Sequence, residues 1–236
     1  MQSLADALAQ AWSLLTSGQG YITDVLLLSI RVSGVAVLLG VLIGMPIGIL
    51  VGIFRFPARR LVIALIHTGF ALPPVVVGLF VYLMLSRSGP LGALEMLFTP
   101  LAMIFAQTVL AAPYVAGITL SAVQAVPSEV RLQARALGAS PLRAILAHVR
   151  EARVGLFAAV VAGFGAALSE VGAVMMVGGN ILGETRVMTT AIVLETRRGN
   201  FGAAMAFGLV LLGLAFTVNL MLTRAQQSGA ETRRTW

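Results

Sequence analysis

The sequence predicts an all-α integral membrane protein of about five transmembrane helices, with the N-terminus outside, the C-terminus inside and a helix-turn-helix loop on the cytoplasmic side. Three observations carry that prediction. Of 236 residues, 58% are apolar and only 11% are charged, a mean hydropathy of +0.96 that no soluble domain of ordinary composition shows. The few charges are spaced so that they leave long uncharged runs, and a helix needs only about 20 such residues to cross roughly 30 Å of hydrocarbon. The basic residues gather on one side of those runs.

Residues 1–20 lack a basic start and place Leu4, Leu8, Trp12 and Leu15 on a helical spacing. They are expected to form an interfacial amphipathic helix rather than a cleaved signal. The first span, about 22–54, holds an uncharged run of 23 residues from Val32 to Phe54. Gly40, Gly44, Gly48 and Gly52 recur along it every four residues, giving one flat face against which a second helix can pack closely or slide. The second span, about 60–86, contains Pro73-Pro74, which must kink or break it. Backbone groups freed at that depth must be buried in protein or face water, so the pair either lines a pathway or serves as a structural kink. The third span is about 97–123. The fourth, about 154–178, starts with 16 uncharged residues from Val154 and then admits one acid, Glu170. The fifth is about 201–223, followed by a short tail, 226–236.

All 16 basic residues are arginine, and there is no lysine or cysteine. Without lysine the chain has no G-x-x-x-x-G-K-[ST] phosphate loop, no Schiff-base lysine and no Ser-Lys pair. Without cysteine, and with two histidines, it has no disulfide or thiolate chemistry and is expected to hold no metal. His67, in an apolar run, is expected to be a packing histidine, and His148 a loop residue. Arg55, Arg59 and Arg60, then Arg131, Arg135, Arg143, Arg150 and Arg153, then Arg224, Arg233 and Arg234 put eleven arginines on one side. Short basic loops stay in the cytoplasm, which sets the orientation. The formal +7 then divides into +8 inside, −1 outside and zero within the membrane, where Arg31 offsets Glu170. The pI near 11.4 therefore records topology and calls for no nucleic-acid partner.

Residues 127–153 are too orderly for a linker. Pro127-Ser128-Glu129 opens a helix that Gly138 ends; Ser140-Pro141 opens another, with an N-cap followed by proline at the first helical position. The second helix sets Leu142, Ile145, Leu146 and Val149 apart from Arg143 and Arg150, as expected of a helix laid against a partner surface.

The stretch Leu137-Gly138-Ala139-Ser140-Pro141 resembles the coupling loop of ABC importer permeases, E-A-A-x-x-x-G-x(9)-I-x-L-P. Ala134 and Gly138 keep their places, whereas Leu132 stands for the glutamate, Gln133 for an alanine, and His148, Arg150 and Glu151 for Ile, Leu and Pro. Glu170-Val171-Gly172-Ala173, then Asn180-Ile181-Leu182-Gly183-Glu184-Thr185-Arg186, then Thr189-Thr190-Ala191-Ile192 followed by Leu194-Glu195-Thr196, resemble oxyanion permeases and are most similar to the tungstate type. The resemblance covers roughly residues 22–225. It implies a type I importer permease: a homodimer in the inner membrane, two cytoplasmic ABC ATPase subunits below and an extracytoplasmic oxyanion-binding protein above. The permease would hold no cofactor of its own, ATP being bound by the partner subunit, and would not be an enzyme. The implied substrate is tungstate, with molybdate as the nearest alternative and an ion-coupled secondary transporter as a reading of another class.

Moving a dianion inward against 100 mV costs about 4.6 kcal/mol, from roughly 2.3 kcal/mol per charge, so uptake needs an energy source that a chain without lysine cannot supply through a phosphate loop. The resemblance places the docking contact on Ala134, Leu137, Gly138, Ala139, Ser140, Pro141 and Arg143. The pathway or gate candidates are Arg31, Pro73, Pro74, Glu170, Asn180, Thr185, Arg186, Thr189 and Thr190. Arg31 and Glu170 lie at similar depth and are expected to pair; attraction of the anion by Arg31 is the alternative. The threonine hydroxyls are suited either to a tetrahedral oxyanion or to capping and packing a short helix at the outer face.

Overall fold

The apolar runs fold as helices in the computed structural model, which describes residues 4–16 and 20–231. The last five residues, with Arg233 and Arg234 of the expected tail, lie outside the described residues. The helices are α1 (Leu4–Thr16), α2 (Gly20–Ile53), α3 (Arg59–Phe70), α4 (Pro74–Leu85), α5 (Pro100–Ala125), α6 (Glu129–Ala136), α7 (Pro141–Glu151), α8 (Arg153–Leu168), α9 (Gly172–Gly178), α10 (Met188–Arg197) and α11 (Phe201–Glu231), with a 3₁₀ turn at Gly92–Leu94. Three of them, α2, α5 and the Phe201–Met221 part of α11, are each long and apolar enough to cross a membrane; there are five if the bent pairs α3–α4 and α7–α8 each count as one.

Two spans depart from the continuous helices expected. The segment 60–86 is two helices, α3 ending at Phe70 and α4 starting at Pro74. The cause is Pro73-Pro74: Pro73 is extended, with φ −64° and ψ 124°, and Pro74 takes the first helical position of α4, where its missing N–H costs nothing. The segment 154–178 is also divided, because α8 ends at Leu168 and α9 starts only at Gly172. Between them, the Glu170 carboxylate turns onto the first turn of α9 and accepts the Ala173 N–H at 2.8 Å.

The chain forms two compact units. The first comprises residues 1–36, 73–108 and 167–218. Its core is built on Val25, Met188, Ala191 and Phe207, with Tyr21 meeting Phe207 edge-on at 5.6 Å between ring centroids. In helix α1, Ala7 and Ala11 are buried, while Leu8 and Trp12 of the stripe read from the sequence are exposed.

The second unit comprises residues 37–72, 109–166 and 219–236. Here the four-residue glycine repeat of α2 lies directly on α5. A Cβ on Gly40 would meet Ala111, and one on Gly44 would sit 2.9 Å from the Ala116 nitrogen. One on Gly48 would be 2.7 Å from Thr119 Cβ, and one on Gly52 2.8 Å from Val123 Cγ1. The stripe is thus a backbone-to-helix packing seam, which van der Waals contact rather than hydrophobic burial stabilises in lipid. Val51, Ile66, Ala116 and Leu120 form the adjoining core, and Arg59 Nε donates to the Val51 carbonyl at 2.8 Å, capping the last turn of α2.

Candidate functional site

Two groups of residues stand out, one in each unit. In the second unit, α6 and α7 form a two-helix arm whose turn follows from its sequence. Gly138 sits at φ 85°, the left-handed region, at the end of α6. This lets the Gly138 N–H reach the Arg135 carbonyl at 3.0 Å and the Ala139 N–H the Ala134 carbonyl at 2.9 Å. That double bond pattern is a Schellman cap, which satisfies carbonyls that the helix end would leave open. Ser140 is extended and accepts the Arg143 N–H at 3.4 Å, and Pro141 occupies the first helical position of α7.

Of the docking residues named from the sequence, Leu137, Gly138, Ser140, Pro141 and Arg143 are exposed, and Ala134 and Ala139 are half-buried. Leu132, Leu137 and Leu142 are 67%, 89% and 66% exposed, so the arm offers a leucine surface with Arg131 and Arg135 beside it. Such a concentration of bare leucine on a capped, rigid arm is the mark of a contact surface. The inner face of α7 is Ala144 and His148. His148 is therefore no loop residue: it is buried, and its Nε2 lies 3.0 Å from the Val123 carbonyl of α5. His67 also differs from its expected packing role, being exposed on α3 with its ring 5.9 Å from that of Phe70.

In the first unit, residues 170–190 form a dense hydrogen-bond network. Asn180 has φ 53°, and its side chain and carbonyl both accept from Arg186, whose Nη1 donates to the Tyr21 hydroxyl at 2.8 Å. Thr185 is fully buried; its hydroxyl donates to the Gly178 carbonyl and accepts the Ile181 N–H at 2.9 Å. Thr189 donates to the Glu170 carbonyl at 3.0 Å, and Thr190 to the Val187 carbonyl at 3.0 Å. A hydroxyl has one proton to give. In all three threonines that proton goes to a backbone carbonyl, so the network holds the loop together and leaves no threonine donor for an anion. Ser29, which the sequence did not single out, closes the network by accepting the Met188 N–H at 2.8 Å.

The expected Arg31–Glu170 pair does not form. Glu170 is buried and gives its carboxylate to Ala173, while Arg31 is exposed, with no ion pair to Glu170. Sequence gives depth along a helix but not rotation about its axis, which decides whether two side chains can meet. Pro73 and Pro74 are exposed at the α3–α4 bend. Of the outer arginines, Arg198 is paired with the buried Glu195 at 3.3 Å.

The commitment of Thr185 gives a direct prediction. Thr185→Val, which keeps the shape and strands two backbone partners, is expected to destabilise the protein by about 1–3 kcal/mol. Thermal unfolding in detergent would read this as a lowered Tm, with the KM for transport unchanged at temperatures where the variant is folded. A raised KM with an unchanged Tm would restore the hydroxyl as an anion contact.

Helical units with apolar spans and a capped, leucine-faced arm describe a membrane-embedded helical protein with a built contact surface. The fold resembles that of the MetNI methionine ABC transporter in an inward-facing form, with a TM-score of 0.76 at 19% identity, over 89% of this chain and 97% of that one. The chain belongs to the family of binding-protein-dependent transport system inner membrane components, whose family model matches residues 44–228. It is a multi-pass inner membrane protein and the permease subunit of an ABC importer. Among its relatives, a probable anion ABC transporter permease protein of Haloferax volcanii is 46% identical over 86% of this chain and 90% of its own length. The tungstate uptake system permease protein TupB of Peptoclostridium acidaminophilum is 40% identical over 96% of this chain and its entire length. The TupB of Campylobacter jejuni is 35% identical over 74% of this chain and 73% of its own.

Proposed function

We propose that this permease imports tungstate by alternating access, as a homodimer driven by two ATPase subunits that dock on the α6–α7 arm and fed by an extracytoplasmic oxyanion-binding protein. The observation that carries the substrate is the 40% identity to a tungstate permease along that protein's entire length, against 27% to the molybdenum permease ModB of Escherichia coli. The arm supports the partner reading. Its leucines are exposed, its basic residues flank them, and its caps hold the surface in one shape before anything binds, which lowers the ordering cost of docking.

Orientation follows from charge. With eleven arginines on the side of the arm, the arm and C-terminus lie in the cytoplasm and the N-terminus outside. ATP is bound by the partner subunit, since this chain has no lysine for a phosphate loop. The committed threonines of the 170–190 network fit a pathway that binds its anion weakly and leaves selection to the binding protein.

Proteoliposomes holding the complete complex test the substrate. Labelled tungstate is expected to accumulate in the presence of ATP and the binding protein, with unlabelled molybdate competing only at higher concentration. Accumulation of molybdate without tungstate would overturn the assignment.

A further inference from the structure

We propose that His148 is a positioning residue that carries movement of α7 into α5 through its hydrogen bond to the Val123 carbonyl, an inference that rests on the α6–α7 arm being the ATPase docking site. The bond has a cause in the sequence. Val123 lies in the last turn of α5, and the N–H that would serve its carbonyl in a continuing helix belongs to residue 127, which is proline and has none. The carbonyl is 1% exposed with its residue, so water does not serve it either. His148 fills the vacancy from 25 residues away, at 3.0 Å.

The geometry also fixes which ring nitrogen works. A carbonyl only accepts, so Nε2 carries the proton, while Nδ1 is buried without a partner. His148 and Ala144 are one turn apart and form the buried face of α7, opposite the exposed Leu142 and Leu146. On its other side, Val123 packs on Gly52 at the end of the α2 glycine seam. A displacement applied to the exposed leucines therefore has a continuous route: α7 backbone, His148, the Val123 carbonyl, α5, then α2. The bond is directional, so it fixes α7 in register on α5.

The test uses the assembled permease, ATPase and binding protein in proteoliposomes, with labelled tungstate uptake and ATP hydrolysis measured on the same vesicles. His148→Leu keeps bulk and removes the donor. His148→Gln puts an amide N–H as many bonds from Cβ as Nε2, whereas His148→Asn puts it at the Nδ1 distance. The expected result is that Leu and Asn raise the ATP hydrolysed per anion imported by about five- to tenfold, while Gln stays near wild type. The ATPase should co-purify with all three, which separates lost transmission from lost docking. Wild-type coupling in His148→Leu, or equal behaviour of Gln and Asn, would overturn the inference; the Gln and Asn comparison stands even where the Leu variant does not fold. Failure of the ATPase to co-purify with the wild-type permease would instead overturn the docking reading on which the inference rests.

Discussion

Gly48→Leu is expected to abolish the folded permease. At Gly48 the α2 backbone lies against Thr119 so closely that a Cβ would sit 2.7 Å from Thr119 Cβ and 2.8 Å from its Cγ2, and leucine adds three carbons beyond that. Neither backbone has room to yield locally, because Gly44 and Gly52 fix the same two helices one turn to either side. Overpacking usually costs about 1–3 kcal/mol, and more where, as here, the added carbons meet a helix backbone that is itself pinned. A domain has only roughly 5–15 kcal/mol to lose, so the variant should vanish from the monodisperse peak of detergent-extracted material. Gly34→Leu is the control: it lies on the same helix and adds the same apolar bulk, but nothing stands within 4 Å of its Cβ position. It should extract like wild type. Equal yields of the two variants would mean that the seam is not a close-packed contact.

Gly138→Val is expected to spare the permease and stop transport. No atom lies within 4 Å of a Cβ at Gly138, so the substitution meets no steric obstacle from neighbours. Its cost is conformational. At φ 85° an L-residue pays roughly 1–2 kcal/mol, and a β-branched one more. The turn would relieve that strain by rotating to negative φ, which breaks the Schellman cap and swings α6 out of line with α7. The leucine surface would then no longer be one surface. Tungstate uptake should fall at least about tenfold, with normal membrane insertion and an unchanged Tm within a few degrees. Gly138→Asn, a residue that tolerates the left-handed region, should keep most of the activity. Full uptake by the valine variant would show that the shape of the arm does not matter.

These two glycines illustrate what the sequence discloses. Periodic glycine on an apolar run, or glycine followed by Ser-Pro, is local information, and local rules read it correctly. The long helices were legible for the same reason, since charges at Arg55, Arg59 and Arg60 mark where lipid must end. The α6–α7 arm was legible from its caps. What escaped were side-chain partners. Glu170 reads as a buried charge in want of a cation, but a carboxylate is equally satisfied by the N–H of Ala173, and only the fold decides between them. Thr185, Thr189 and Thr190 read either as donors to an oxyanion or as caps and packing for a short helix, and each serves a backbone carbonyl, in line with the second reading. His148 reads as a loop residue, and it is instead buried on α7, where it serves the carbonyl that Pro127 leaves without an N–H. The division of the span at 154–178 has the same origin, in a polar group that found a backbone partner.

One measurement bears most directly on the central claim, that a permease with no nucleotide loop of its own is driven by ATP through its arm. Proteoliposomes containing the complete complex, loaded with ATP on the side of the arm and given binding protein and labelled tungstate on the other, are treated with vanadate or with ionophores that collapse ion gradients. Uptake is predicted to stop with vanadate and to persist with ionophores. Uptake that ignores vanadate and stops with ionophores would contradict it.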